Sequence, residues 1–284
     1  MPTPEAIILG SGTSNGIPTL GIEYPPGYLD NPKNHRTRSS VVLKGPTGNL
    51  LVDCSPEMRL QLTREEIMMV DAVLITHTHA DHIMGMDDLR SFCLRAGRDM
   101  PIYATPNNQT DIRRVFQYAF EDFPPGIEVP RFDLRPVPDV LEVAGLRLET
   151  FMVMHGPVPV VAFRVNDFAY LTDVNFIPDA AMAKLQGLDV LVLDAVRRKP
   201  HPNHFHFDAA IAKAQEIGAK TTFFTHLSHD YDHDVTESEL PPGIRLAYDG
   251  LRIPLEVLTI KFLAKNYRIA LRLLPGETSM YLEG

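Results

Sequence analysis

The chain of 284 residues, 44% apolar and 22% charged, has the proportions of a globular domain able to bury a substantial core. Its formal charge of −9 and pI near 5.6 exclude a global attraction for nucleic acid or anionic lipid, so a phosphate-bearing substrate must be captured by local charges or metal ions. The opening Met1-Pro2-Thr3-Pro4-Glu5 has no basic start leading into an apolar run, and nowhere do about 18 consecutive apolar residues occur, which predicts a cytoplasmic protein. In such a chain Cys54 and Cys93 are expected to be reduced thiols.

In chain order, β-branched and apolar runs alternate with amphipathic stretches. Ala6-Ile7-Ile8-Leu9, Ser40-Val41-Val42-Leu43 and Asn49-Leu50-Leu51-Val52 predict three strands, residues 56–62 a helix, and Ala72-Val73-Leu74-Ile75 a fourth strand. Helical patterns follow over 87–95 and 111–120, then strands at 150–154, 160–163 and 168–171. A helix over 178–186, a strand at 190–193, a helix over 207–216 closed by Gly218, and a strand at 221–224 complete an α/β pattern. Pro- and Gly-rich loops at 24–27, 124–126 and 241–243 are too short to link domains, which predicts one domain over 1–255. Residues 256–284 hold two apolar runs around Lys265-Asn266-Tyr267 and Pro275-Gly276, expected to form a strand-rich extension packed on the same domain.

Several strand-like runs end in a polar residue able to bind metal. Val52 gives way to Asp53, Thr76 to His77, Met154 to His155, Thr172 to Asp173 and Thr225 to His226. Loops at the ends of rigid strands can bring such side chains together from remote parts of a chain. His77, His79, Asp81 and His82 fall within six residues and offer imidazole and carboxylate, ligand types that suit zinc and related divalent ions. A lone histidine is more often a solvated or hydrogen-bonded loop residue; four such residues in one loop reverse those odds. His155, Asp173 and His226 gain weight only through the motif they would complete.

His-x-His-x-Asp-His followed by a later His, Asp and His resembles the metallo-β-lactamase superfamily, which implies an αββα sandwich of two mixed sheets flanked by helices. By that resemblance His77, His79 and His155 hold one divalent ion, Asp81, His82 and His226 a second, and Asp173 bridges them. Zinc, manganese, iron and nickel all accept such ligands, and zinc or manganese is expected. Within the superfamily the chain resembles the phosphoribosyl cyclic phosphodiesterase branch of bacterial phosphonate breakdown. That likeness rests on residues 9–18, Arg36-Thr37-Arg38-Ser39-Ser40, His201-Pro202-Asn203-His204-Phe205, Thr225-His226-Leu227-Ser228-His229 and Ala247-Tyr248-Asp249-Gly250. Members of the branch often carry a cysteine cluster that binds a structural zinc with a histidine matching His229. Gly21-Ile22-Glu23-Tyr24-Pro25 has no cysteine, so that zinc is expected to be absent and His229 loses the role.

The implied chemistry is hydrolysis by a metal-activated hydroxide, with no Gly-x-Ser-x-Gly elbow or other covalent nucleophile in view. Asp81 and His204 make up the implied catalytic pair, His204 as general acid to the leaving alkoxide; the competing view of His204 is a surface histidine in a His/Pro loop. Asp53 either orients a metal-binding histidine or caps the turn into Ser55-Pro56-Glu57. The glycine-rich loop 10–16 can lie near substrate but lacks the Lys-Ser/Thr ending of a nucleotide P-loop. Arg36 and Arg38 could attract a phosphate, although paired loop arginines are more often solvated. His206, His233, Asp230, Asp232 and Asp234 are assigned to the surface.

The leading expectation is a phosphodiesterase opening a small cyclic or nucleotide-like phosphate ester. The expected partner is therefore a small molecule rather than nucleic acid or membrane, with a homodimer possible. The alternatives are a tRNA 3′-end-processing ribonuclease, disfavoured by the low pI and the lack of a basic RNA-gripping arm, a lactone or thioester hydrolase, and a metal-stabilised binding scaffold without turnover.

Overall fold

A computed structural model describes residues 3–124 and 126–255; the predicted extension over 256–284 lies outside the described residues. The elements are β1 (Glu5–Gly10), β2 (Ser40–Gly45), β3 (Gly48–Val52), α1 (Met58–Arg64), β4 (Ala72–Leu74), α2 (Ala80–Ile83), α3 (Arg90–Ala96), β5 (Met100–Ala104), α4 (Pro106–Val115), β6 (Phe132–Pro136) and β7 (Val140–Val143). Then come β8 (Leu146–His155), β9 (Val158–Val165), β10 (Phe168–Leu171), α5 (Asp179–Lys184), β11 (Val190–Asp194), α6 (Phe207–Ile217), β12 (Thr221–Thr225), α7 (His233–Glu239), β13 (Ile244–Leu246) and β14 (Arg252–Pro254).

Side-chain alternation along the strands sorts the core into three layers. On β2, Val42 packs with Met58 and Leu62 of α1 and Ile112 of α4, while Val41 and Leu43 face the opposite way and meet Phe163, Tyr170 and Val192 of the other sheet. On β11, Leu191 and Leu193 pack on Ala210, Ala214 and Ile217 of α6, and Val192 faces inward. The result is helices on sheet on sheet on helices, the αββα arrangement. The sheets run β14-β1-β2-β3-β4-β5-β6 and β13-β12-β11-β10-β9-β8-β7. Strands covered on both faces need continuous apolar runs, and those are the strands predicted from sequence.

The strands not predicted are β5, which carries Pro101, and β6, β7, β13 and β14, the four that end the two sheets. Edge strands such as Phe-Asp-Leu-Arg-Pro and Arg-Ile-Pro are short and mixed in polarity, so they give no apolar run. The helix predicted over 111–120 begins earlier, at Pro106. Thr105 caps it by accepting from the Asn108 N–H, and Pro106 occupies the first turn, whose polar residues hide it from a search for apolar periodicity. Gly218 closes α6 in the left-handed conformation, as predicted. Among the described residues no helix is long and apolar enough to cross a membrane. Cys54 and Cys93 are free and buried in the same helix-side core layer.

Helix α7 does not appear among the expected helices, and it corrects the surface assignment of His233. Asp232 caps it by accepting from the Val235 N–H at 3.1 Å, and His233 is 1% exposed, its backbone N–H donating to Asn34 Oδ1 at 2.8 Å. Arg36, also 1% exposed, is not a solvated loop arginine either. It donates to Ser11 Oγ and the Ala247 carbonyl, and its Nη2 stands 3.2 Å from His233 Nδ1. Burial lowers the Arg36 guanidinium to about 10, which still leaves it charged at neutral pH. Burial first, and this neighbouring cation second, push His233 down to about 4. An unfolded histidine titrates at about 6.5, so between pH 6.5 and 4 the unfolded chain binds more protons and stability is lost as the pH drops; above 6.5 the residue contributes no slope. Replacing His233 with Gln should remove on the order of 2 kcal/mol of acid destabilisation between pH 7 and pH 4. Urea unfolding at both pH values checks this, and parallel losses in the two proteins would contradict it.

Candidate metal centre

Strand direction gathers the site. β3 to β6 run parallel to one another, as do β10 to β13. β8 is antiparallel to β9, which is antiparallel to β10, so β8 ends on the same side as β10. The carboxyl ends of β3, β4, β8, β10, β11 and β12 therefore deliver Asp53, His77, His155, Asp173, Asp194 and His226 to one rim of the sandwich. His79 leads into the short helix α2, which turns Asp81 and His82 inward from the loop after β4.

Three groups of donor atoms result, each within 4.8 Å: His77, His79, His155 and Asp173; Asp81, His82, Asp173 and His226; and Asp194, His204 and His226. Asp173 belongs to the first two. His82 Nε2 lies 3.2 Å from Asp173 Oδ2 and 3.3 Å from Asp81 Oδ2, and His226 Nε2 lies 3.3 Å from Asp173 Oδ1 and 3.7 Å from Asp81 Oδ2. His77 Nε2 sits 2.9 Å from His79 Nδ1 and 3.9 Å from Asp173 Oδ1. All but His79 are buried.

Four of these side chains are held from behind. Asp53 Oδ2 accepts from His82 Nδ1 at 2.7 Å, and the same carboxylate accepts from the Thr76 N–H at 2.8 Å and Thr76 Oγ1 at 2.7 Å. Asp53 thus orients a histidine rather than capping the turn after it. His155 Nδ1 faces the Asn203 carbonyl at 2.8 Å, Thr76 Oγ1 faces His77 Nδ1 at 3.1 Å, and Thr172 Oγ1 donates to Asp173 Oδ2 at 2.6 Å. Two of the rings still have nitrogens left over. His82 Nε2 and His226 Nε2 are buried with no hydrogen-bond partner, as is His226 Nδ1. Orphaned imidazole nitrogens facing a shared carboxylate are the donor set of a divalent cation, so the residues present fit divalent metal.

The electrostatics agree. Burial drives His77 well below its ordinary value, with the nearby His82 adding to the effect. Burial also opposes the charged form of His82 and His226, yet the carboxylates around them prevail. Asp173, Asp53 and Asp81 raise His82 well above its ordinary value, and Asp173 with Asp81 and Asp194 raises His226 to about 9. Asp173 is held well below the usual carboxylate range by His226 and His82 against its own burial, and Asp81 likewise by His82 and His226. Asp53, His226 and Asp173 all have positive φ, at 61°, 58° and 51°. That region is sparsely occupied by residues other than glycine and is tolerated best by Asn, Asp and His.

His204 is 9% exposed rather than a surface residue. Its Nδ1 lies 2.6 Å from Asp194 Oδ2, and its ring stacks on His226 at 4.8 Å between centroids and tilts against His155 at 4.2 Å. Asp194 also accepts from the Val174 N–H, and its Oδ1 lies 3.8 Å from His226 Nδ1. Asp194 was missed from sequence although it obeys the strand-end rule that picked out its neighbours: Val190-Leu191-Val192-Leu193 gives way to it directly.

A cavity of about 360 Å³ opens on the centre, lined by Thr13, Ser14 and Asn15 of the glycine-rich loop and by Arg197, Lys199, His201, His204, His226 and His229. Arg36 lies within the core, and Arg38 pairs with Glu57 and donates to the Ser14 carbonyl, so neither faces this cavity with a free charge. A second cavity of about 390 Å³, beside β5 and β6, holds Arg98, Arg113 and Arg135 and none of the metal-centre residues.

The model of the beta-lactamase superfamily domain matches residues 48–227, well over half of the chain. A solved structure described as a new diphosphatase from the PhnP family shares 38% identity and a TM-score of 0.82, covering 89% of this chain and 98% of that one. The octanoyltransferase of Porphyromonas gingivalis is 37% identical over 253 residues, which is 87% of this chain and 51% of that protein. A ribonuclease Z of Marinobacter nauticus is 32% identical over 123 residues, 42% of this chain and 33% of that protein. The chain thus spans about half the length of the first of these curated relatives and a third of the second. On the domain match, the αββα layers and the His/Asp rim together, the chain belongs to the beta-lactamase superfamily and has the metallo-β-lactamase fold.

Proposed function

We propose that this chain is a hydrolase dependent on two divalent ions, zinc or manganese, that cleaves a small phosphodiester, cyclic or nucleotide-like. The observation that carries it is Asp173, a single buried carboxylate common to two sets of donor atoms. In this assignment His77, His79 and His155 hold one ion, Asp81, His82 and His226 the other, and Asp173 both. When bound, two such ions lower the pKa of a water toward neutrality and screen charge on the phosphate oxygens.

The protein's own groups do the rest. Asp53, Thr76 and the Asn203 carbonyl fix the ring planes of His82, His77 and His155. Asp194 holds His204 by Nδ1, which leaves Nε2 as the nitrogen that hands a proton to the departing alkoxide. Arg197 and Lys199 supply positive charge on the cavity wall and form no ion pair among the described residues. Anionic substrates are favoured accordingly.

The cavity of about 360 Å³ is of small-molecule size, and with a formal charge of −9 it supports a small ester over a tRNA. The 32% identity to a ribonuclease Z keeps a precursor tRNA in the assay panel. The likeness to an octanoyltransferase adds an octanoyl thioester, and the PhnP-family neighbour adds a diphosphate.

Metal-free protein should carry a proton on His226 at pH 7, because its value is raised to about 9, and the carboxylates shift His82 in the same direction. Since the ligands must be deprotonated, loading with zinc at pH 7 should release at least about one proton per chain. Calorimetry in buffers of different ionisation enthalpy reads that number, and a value of zero contradicts the ligand set. Asp173→Ala should lower bound metal from two ions to one or none by elemental analysis. His204→Ala should cut turnover of an alkyl phosphodiester by about 10²–10³-fold. It should matter far less for bis(p-nitrophenyl) phosphate, whose leaving group needs no proton. Equal losses on both esters, or none, would remove His204 from the general-acid role.

A further inference from the structure

The segment Ala247-Tyr248-Asp249-Gly250 lies where the chain crosses from β13 of the second sheet to β14 of the first, and the chemistry above makes no use of it. Asp249 Oδ1 accepts from both the backbone N–H and the Oγ of Ser11 at 2.9 Å. Its Oδ2 accepts from the Thr37 N–H at 2.8 Å and Thr37 Oγ1 at 2.6 Å, with Arg64 Nη1 at 3.3 Å. One carboxylate therefore fastens the start of the glycine-rich loop to the Arg36–Arg38 segment.

From Ser11 the connection continues to the metal centre. The Leu227 N–H donates to the Ser11 carbonyl at 2.9 Å, and the Thr13 N–H donates to the Leu227 carbonyl at 3.2 Å. Leu227 follows His226, and Thr13 begins the wall of the cavity. The glycines serve this fastening rather than a phosphate cradle. A Cβ on Gly10 would run into the Arg38 carbonyl oxygen, and one on Gly12 would come within 2.9 Å of the Arg36 and Thr37 carbonyl oxygens.

We propose that Asp249 is a positioning residue that sets the Thr13–Asn15 wall of the cavity against His226, so that it governs substrate capture without touching substrate or metal. The proposal rests on the cavity being the substrate site. An Asp249→Asn side chain keeps one oxygen acceptor but turns an N–H donor toward the donors of Ser11 or Thr37, so one of the two hooks is lost.

The test compares wild type, Asp249→Asn and Ser11→Ala as metal-loaded protein, on whichever ester of the panel the wild type turns over. For Asp249→Asn, KM should rise about tenfold while kcat falls less than threefold, with metal content and circular dichroism unchanged; for Ser11→Ala the KM rise should be about threefold. An unchanged KM in both variants, or a loss of activity that only follows a loss of metal, would overturn the proposal. If Asp249→Asn does not fold, Ser11→Ala decides by the same criteria. If no ester is turned over, the hydrolase reading fails by itself. Inorganic phosphate binding to the metal-loaded proteins then decides the positioning role: weaker binding by the variants supports it, and equal affinity overturns it.

Discussion

A carboxylate shared between two clusters of buried donor atoms sets the terms for everything around it. Asp173 draws His82 and His226 to within 3.3 Å, and these rings come from opposite sheets of the sandwich. Burial alone would strip charge from every one of these groups. That the histidines are raised and the carboxylates lowered shows mutual attraction overcoming desolvation, as it must wherever ionised groups are packed away from water. A divalent cation answers the same need, concentrating positive charge where Asp81 and Asp173 converge.

The sandwich supplies the rigidity this requires. Strands β3, β4, β10, β11 and β12 are covered on both faces, so their ends cannot drift, and the polar residue following each apolar run is fixed in place by the run itself. Support continues outward through Asp53, Thr76, Thr172 and the Asn203 carbonyl, which engage the far side of the rings and carboxylates. Loss of the hydrogen bond that orients a ligand from outside typically costs a metal site about 10- to 100-fold in affinity or activity.

What the sequence disclosed, and what it hid, follows from the same geometry. Buried strands advertise themselves because both faces must be apolar; β6, β7, β13 and β14 close the sheets and carry no such pattern. The seven residues named as ligands rested on the His77–His82 cluster and the superfamily resemblance, and the structure brings their donor atoms into two adjoining groups, which supports the proposal that they hold metal. Asp194 obeyed the strand-end rule and was overlooked, since the ligand pattern that gave weight to Asp173 has no place for it. Buried Arg36 and His233 were illegible for a different reason. Each is polar, their contact spans nearly two hundred residues, and nothing local distinguishes a buried arginine from a solvated one. The glycine-rich loop was legible as a loop, but its partner, Asp249, lies near the other end of the described chain.

Asp53, Asp173 and His226 each turn the backbone through a conformation that glycine adopts freely and other residues resist. Folding by itself would favour glycine or asparagine at these corners, and metal chemistry favours the residues present. A selection for thermal stability alone would therefore erode the site at its three corners first, and such variants would be sturdy and inert. Soluble expression is thus a poor guide to function in this chain, because the sequence best suited to standing up is not the one suited to holding metal.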